Sequence, residues 1–206
     1  MTLIEETAVP DGALPVEKLK AHLRLGTGFA DDTVQDAVLI SFLRAAIASV
    51  EARTGKVLIE RDFVLSVTEW RAPDIQVLPV APAVVVSTMT LVDRQGTRTD
   101  VATDAFWLER DAQQPRVRSV GCALPAVPKE GAVDIAFRAG FGVTWDDIPP
   151  DLAQAVMLLA AHYYEFRNET TLSEGCMPFG VTSLIERYRV MRLGGRASLA
   201  CLVLTD

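Results

Sequence analysis

The chain has 206 residues, of which 50% are hydrophobic and 23% are charged, with a formal net charge of −7 and a pI near 4.9. This length predicts one or two domains whose cores need neither a metal nor disulfides. The acidity argues against a protein that binds DNA over its whole surface, because binding to phosphates requires cationic side chains. A local basic patch is compatible with this composition.

The first zone of the chain has helical periodicity. Residues 15–25 form one short helical pattern, with His22 on its inner face beside Leu23. A second, longer helix is predicted from Asp32, whose spacing to Gln35 is that of a capping box, to the residue before Gly55. Its predicted apolar stripe consists of Val34, Val38, Phe42, Ala45, Ala46 and Val50.

The second zone, residues 56–142, loses the helical period. Short segments rich in Val, Ile, Phe and Trp alternate with turn signals, which is typical of β-strands. The segment around Arg94, Gln95 and Gly96 predicts a hairpin. The pattern therefore indicates an antiparallel β module placed between helices.

The third zone is helical again. Pro149 and Pro150 suit the start of a helix, where a missing N–H costs nothing. The apolar face predicted for this helix consists of Leu152, Val156, Leu159, Ala160, Tyr163 and Phe166. A further short helix is predicted over residues 181–193, and Gly194 and Gly195 end it.

The order of these zones predicts an α+β fold. Residues 1–55 and 148–193 are expected to form one helical domain, with residues 56–147 as an inserted antiparallel β module. Residues 194–206 form an apolar C-terminal tail.

The motifs of known catalytic sites do not occur in the sequence. Neither His22 nor His162 has a metal-binding partner four residues on, and there is no GxSxG, GxGxxG or P-loop motif. The three cysteines, Cys122, Cys176 and Cys201, are far apart, which argues against disulfides and zinc knuckles. We therefore predict a protein that is not an enzyme and has no catalytic residue, cofactor or metal.

Two segments of the sequence suggest contacts with other proteins. Tyr164 and Arg167 suit a core and an interface equally well, because buried aromatic and arginine side chains anchor both. Arg187 and Arg189, in the last predicted helix, are further candidates for a subunit interface.

The tail carries Leu199, Leu202, Val203 and Leu204, which would be exposed unless something covers them. Two interpretations stay open: a last strand of the chain's own sheet, or an arm that docks on a partner. Gly194 and Gly195, which provide a hinge at the start of the tail, favour the arm.

Six motifs in order give the chain a resemblance to a known family. They are LPVEKLKAHLRL followed by DD, then ASVEARTGKVLI, IQVLPVAPAVVVSTMTLVDRQG, VDIAFRAGFG, IPPDLAQAVMLLAAHYYEFRNE and GVTSLIERYRV. Over residues 14–190 the chain resembles the head–tail connector (adaptor) proteins of tailed bacteriophages and of the related gene transfer agents.

The resemblance implies a helical scaffold and a homo-oligomeric, twelvefold ring beneath the portal protein. It also implies a stopper or tail-completion protein as the next component, and DNA that passes through the channel without sequence-specific binding. Members of the family often reach the portal with a C-terminal segment, which fits a portal-binding role for Leu199, Leu202, Val203 and Leu204, although the resemblance itself ends before the tail. The expected location is the neck of a virion or phage-like particle, with assembly in the cytoplasm of a bacterial host and no membrane contact.

Two alternatives accompany this prediction. One is another neck or tail-completion protein of similar architecture. The other is a small-molecule-binding module or enzyme that uses the β module, with Trp70, Phe106, Trp107 and Trp145 as pocket residues. Core aromatic residues of a small sheet are the favoured interpretation of these four side chains.

Overall fold

The structure, a computed structural model, describes residues 1–24, 32–167 and 177–189, and for residues 32–34 it describes the backbone only. The described residues form an α+β fold, as predicted. Its helices are α1 (Val16–His22), α2 (Asp32–Thr54), α3 (Pro150–Glu165) and α4 (Phe179–Ile185). The strands are β1 (Thr2–Glu5), β2 (Arg61–Val67), β3 (Ile75–Val77), β4 (Ala83–Val92), β5 (Arg98–Asp100), β6 (Phe106–Glu109), β7 (Arg116–Ser119) and β8 (Ala132–Ala139).

Helix α2 buries a different stripe from the predicted one. The residues that it packs against α3 are Leu39, Leu43, Ala46, Ile47 and Val50. Of the predicted stripe, Ala46 and Val50 are buried, but Val38 and Ala45 are exposed and Phe42 is half-buried. The prediction was wrong because α2 is apolar or small over most of its circumference, so periodicity alone did not identify the face that meets α3.

Helix α3 begins at Pro150 and lies at the centre of the helical core. Its predicted face is confirmed for Leu152, Val156, Leu159 and Ala160, which are fully buried. Tyr163 is half-buried, whereas Phe166 follows the last helical residue and is exposed. Both α2 and α4 pack against α3.

Two further details of the helical zones differ from the prediction. Helix α4 begins at Phe179, and the described chain then continues as a 3-10 turn, Glu186–Tyr188, rather than as an α-helix to residue 193. Residues 190–193 lie outside the described residues. His22 is exposed rather than on the inner face of α1, where Leu19 is the buried residue.

The strands form two antiparallel sheets. The larger sheet has the order β1-β2-β8-β4-β5, and the smaller one has the order β3-β7-β6. Alternate residues of β2 are buried, with Phe63, Leu65 and Val67 directed into a second hydrophobic core. The N-terminal strand β1 was not predicted; it pairs with β2 so that Ile4 lies opposite Val64.

The predicted hairpin at Arg94–Gly96 is confirmed as the connection between β4 and β5. Asp93 Oδ1 accepts hydrogen bonds from the backbone N–H groups of Gln95 and Thr97, both at 2.8 Å. The backbone hydrogen bond from Thr97, followed by smaller contributions from the rest of the turn, lowers the pKa of the Asp93 carboxyl. Gly96 takes a φ of +84°, which favours glycine.

The helical core and the β core meet at two crossing segments of backbone. Glu60 N–H donates to Gly142 O at 2.8 Å, and Gly140 N–H donates to Pro82 O at 3.0 Å. Leu58, Ile59 and Trp145, which lie within residues 56–147, pack in the helical core. The division into residues 1–55 with 148–193, and 56–147, stays a prediction.

Lys56 is the largest fully buried side chain at this junction. Its ammonium group donates to the backbone oxygen of Ala112 and, at 2.8 Å, to Gln113 Oε1 in the loop between β6 and β7. Burial lowers the pKa of Lys56, and the nearby Asp111 carboxylate offsets this in part. Lys56 thus fastens the start of the β region to that loop.

Candidate subunit interface

The C-terminal end of α3 carries an aromatic and arginine cluster. The half-buried ring of Tyr164 meets the ring of Phe42 on α2 edge to face, with centroids 6.2 Å apart and planes at 89°. The guanidinium of the exposed Arg167 lies over the outer part of this pair, 4.8 Å from the Tyr164 centroid. The structure therefore brings Tyr164 and Arg167 together, with one part packed on the core and another part facing solvent.

The neighbouring residues of this cluster serve packing. His162 lies 4.6 Å from Phe166, measured between ring centroids, and Tyr163 Oη lies 3.1 Å from Ser49 Oγ on α2. None of these contacts joins a nucleophile to a base, so the arrangement lacks the geometry of nucleophilic catalysis. The contact between Tyr163 and Ser49 instead joins the end of α3 to α2.

Arg187, in the 3-10 turn that follows α4, contacts the opposite, N-terminal end of α3. Its Nε is 2.7 Å from Asp151 Oδ2, and its Nη2 donates to Tyr188 Oη at 2.6 Å. The Tyr188 hydroxyl donates in turn to Asp151 Oδ1 at 2.8 Å. The hydrogen bond to Tyr188 is the main cause that raises the pKa of Arg187, while partial burial is the main cause that raises the pKa of Tyr188.

Arg189 pairs with Glu186 in the same turn, at 3.2 Å. The four predicted interface residues therefore form two groups rather than one patch. Asp151 and Tyr164 are separated by 13 positions of one helix, which corresponds to about 20 Å along its axis at 1.5 Å per residue. The role of all four in a subunit interface stays a prediction.

Two exposed features of the helical region were not predicted as interface candidates. Phe179, the first residue of α4, has 89% of its surface exposed, the largest fraction among the exposed large hydrophobic residues of the described chain. The second feature is the side of α2 that faces away from α3, which we name the α2 outer face and define as Ala37, Ser41, Ala45, Ala48 and Ala52. The signal for this face was present in the sequence as small residues at helical spacing.

The four aromatic residues proposed for a pocket in the β module do not share a cavity. Trp145 belongs to the helical core, and Phe106 is buried in the β core. Trp70 donates its Nε1–H to Pro125 O at 2.8 Å, while Trp107 is exposed. Their positions support the core interpretation for Phe106 and Trp145, and the structure does not bring the four side chains together.

A cleft of about 500 Å³ lies at the N-terminal end of α3. It is lined by Lys18, His22, Trp145, Asp146, Ile148, Pro150, Ala153, Gln154 and Met157. Lys18 is paired with Asp146 by a salt bridge, and both side chains are largely exposed. The lining thus combines this ion pair and the polar side chains of His22 and Gln154 with apolar walls.

Within residues 1–24, 32–167 and 177–189, no three side chains of the metal-binding types lie close enough together to hold a metal ion. Among the helices of that same part of the chain, none is long and apolar enough to cross a membrane. Leu199, Leu202, Val203 and Leu204, proposed to contact a partner, lie outside the described residues.

Comparison with solved structures gives strong matches. A chain from the neck of an empty gene transfer agent (GTA) particle, computed with C6 symmetry, is 53% identical, with a TM-score of 0.86 over 95% of this chain and 100% of that chain. A chain from the neck of a native GTA particle, computed with C12 symmetry, is 49% identical, with a TM-score of 0.82 over 95% and 100%. A chain from the virion of a native GTA particle is 51% identical, with a TM-score of 0.83 over 95% and 98%.

Neither a scan of protein-family models nor a search of curated proteins gives a match. The fold, with a helical scaffold, a β region and exposed aromatic and small-residue surfaces, is that of a structural protein of a phage-like particle. The chain belongs to the family of head–tail connector (adaptor) proteins of tailed bacteriophages and gene transfer agents.

Proposed function

We propose that this chain is a structural head–tail connector subunit that forms a ring in the neck of a phage-like particle. The observation that carries the proposal is the identity of 49–53% with GTA neck and virion chains over 95% of this chain. Identity at this level extends over both the helical and the β regions, so both are expected to occupy the neck. The C6 and C12 symmetry of the matched neck structures supports a homo-oligomeric ring, and C12 supports twelve copies.

The ring is proposed to lie between the portal protein and the stopper or tail-completion protein, with DNA passing through its channel. The net charge of −7 per subunit suits a passage role. Duplex DNA carries one negative charge for about every 1.7 Å of its axis, so acidic subunits offer few sites at which phosphates are held. The DNA is therefore expected to slide rather than to bind in register.

The C-terminal tail is proposed to bind the portal. Its apolar residues, Leu199, Leu202, Val203 and Leu204, would each contribute a small contact area. Ring geometry compensates for a weak single contact, because the first docked arm raises the effective concentration of the remaining arms. The tail can serve in this way only if its length and position allow several copies to bind at once.

A structural role without catalysis fits the side chains that the structure describes. The cleft at the N-terminal end of α3 contains a paired Lys18 and Asp146. The aromatic cluster at the end of α3 is used in packing against α2. We therefore propose that the chain acts through its contact surfaces and has no substrate, cofactor or metal.

Deletion of the gene tests the proposal and separates it from the alternative of a tail-completion protein. We expect the deletion to leave DNA-filled heads that leak DNA or lack tails, since the head would have no closure below the portal. Electron microscopy and nuclease protection of the packaged DNA measure this outcome, with complementation by the intact gene as the control. Heads that stay sealed and carry tails with an altered end would contradict the connector role and favour a tail-completion protein.

A further inference from the structure

Phe179 is the most unusual surface residue of the described helical region. It begins α4, while the residues through which α4 packs are Val181 and Ile185, both buried. The Phe179 ring, with 89% of its surface exposed, is not among the residues that form either hydrophobic core of the described part of the chain. An aromatic side chain of this exposure is a typical anchor of a contact with another protein.

The α2 outer face is the second unusual surface. Its five residues are spaced by four, four, three and four positions, so they share one side of the helix. The buried residues Leu39, Leu43 and Val50 lie on the opposite side. All five residues of the outer face are exposed and uncharged, and Val38, which is 38% exposed, borders them.

The composition of the two surfaces allows a close contact between them. Alanine and serine leave the backbone of α2 open to close approach, whereas long charged side chains would keep an aromatic ring at a distance. A protruding phenylalanine can therefore reach the α2 outer face and cover methyl groups there. The aromatic cluster lies beside it, because Phe42, which follows Ser41 on α2, contacts Tyr164, and Arg167 covers Tyr164.

We propose that Phe179 of one subunit packs on the α2 outer face of the next subunit in the ring. This inference rests on the proposed function, because the occupant is a second copy of this chain. A cyclic ring requires a head-to-tail contact in which two different surfaces of the same chain meet. Phe179 and the α2 outer face lie on different helices, and the matched neck structures have cyclic symmetry. Tyr164 and Arg167 then form the border of this contact.

Disulfide trapping in assembled particles tests the contact while Phe179 is kept. Ser183 is exposed one helical turn after Phe179, so Ser183→Cys places a thiol beside the ring without removing it. It is combined in turn with Ala45→Cys, Ala48→Cys and Ala52→Cys, in a full-length chain whose three native cysteines are replaced by serine. A disulfide forms only when the two Cβ atoms lie about 3.5–4.5 Å apart.

We expect at least one of the three pairs to give, on oxidation, a ladder of covalent oligomers with a spacing of one subunit mass, 22.4 kDa. The single-cysteine variants should give no ladder, because each contact would then contain one thiol. The matched control pair joins Ser183→Cys to Thr88→Cys, which is exposed on β4 in the larger sheet, and should give none either.

A second variant measures the contact without cysteines. Phe179→Ala should leave the melting temperature of the free subunit unchanged, because the ring is exposed there, and should lower the amount of the chain in the neck at least about tenfold, as loss of an interface anchor does. Val143→Ala, which truncates another exposed apolar side chain, is the control and should leave neck occupancy unchanged.

The outcomes separate this inference from the proposed function. Particles with normal neck occupancy that give no ladder from any of the three pairs would overturn the contact and leave the connector role intact. Normal neck occupancy of the Phe179→Ala variant would likewise overturn the contact and leave the connector role intact. Absence of the unmodified chain from the neck would overturn the proposed function, and the contact with it.

Discussion

Replacing Arg61 by alanine is expected to lower the free energy of unfolding by about 3–5 kcal/mol, because it leaves a buried carboxylate without its partner. Arg61 is 8% exposed and joins three elements. Its Nη1 and Nη2 donate to Glu51 on α2 at 3.0 and 2.7 Å, and its Nε lies 2.8 Å from Glu5 Oε1 on β1. Burial acts against the charge of Arg61, but the Glu51 and Glu5 carboxylates outweigh it and raise its pKa.

Denaturant unfolding of the free subunit measures this loss, with Arg138→Ala as the matched control. Arg138 pairs with Asp62 at 2.9 Å on the solvent side of the same sheet, and both side chains are substantially exposed. Removing an exposed pair is expected to cost at most about 1 kcal/mol. Equal losses for the two variants would mean that Arg61 does not hold the helical core, the sheet and the N-terminal strand together.

Replacing Gly140 by alanine is expected to destabilise the subunit by about 2–6 kcal/mol, the sum of about 1–3 kcal/mol for backbone strain and about 1–3 kcal/mol for overpacking. Gly140 has a φ of +146°. A Cβ atom there would lie 2.3 Å from Glu60 Cα and 2.5 Å from Glu60 N. Because these are backbone atoms of the crossing segment between the two cores, they cannot move aside as a side chain can.

Two other glycines separate the contributions to this effect. Gly55 has a φ of +66° but open space around a Cβ atom, so Gly55→Ala should show backbone strain alone, about 1–2 kcal/mol. Gly12 has open space and no such φ, so Gly12→Ala should change stability by at most about 0.5 kcal/mol. The same unfolding measurement ranks all three, and a Gly140→Ala loss no larger than that of Gly55→Ala would contradict the proposed clash with Glu60.

Much of the fold could be predicted because local chemistry specifies it. Helix α2 begins at the predicted Asp32, and its end at Thr54 follows from Gly55, which has the positive φ expected just after a helix. Pro150 at the first position of α3 and Asp93 in the β4–β5 turn act through their own backbone geometry and nearby N–H groups. Such signals involve only residues close in sequence.

The features that were missed depend on contacts between distant parts of the chain. Strand β1 forms because β2 offers a free edge about 60 residues later, and Arg61 holds Glu5 beside Glu51. The buried face of α2 is decided by α3, which begins 96 positions after α2 ends. A sequence pattern describes each element separately, so it could identify apolar positions but not the partner that would cover them.

The residues of the candidate site likewise include some that the sequence identified and some that it missed. The aromatic and arginine composition at residues 162–167 left a core and an interface equally open for Tyr164 and Arg167, and the structure adds the contact between Tyr164 and Phe42. The exposure of Phe179 was not evident, because this residue precedes the helix predicted over residues 181–193 and an apolar side chain is more often buried than exposed. Only the packing of α4 through Val181 and Ile185 shows that the Phe179 ring lies outside the hydrophobic core and is exposed.

A cryo-EM map of the neck of its own particle is the decisive test of whether this chain acts as a ring subunit between head and tail. We expect a ring of this α+β subunit directly below the portal, with the density of the DNA passing through the centre. A neck at side-chain resolution in which other chains fill that position, with this chain elsewhere or missing, would contradict it.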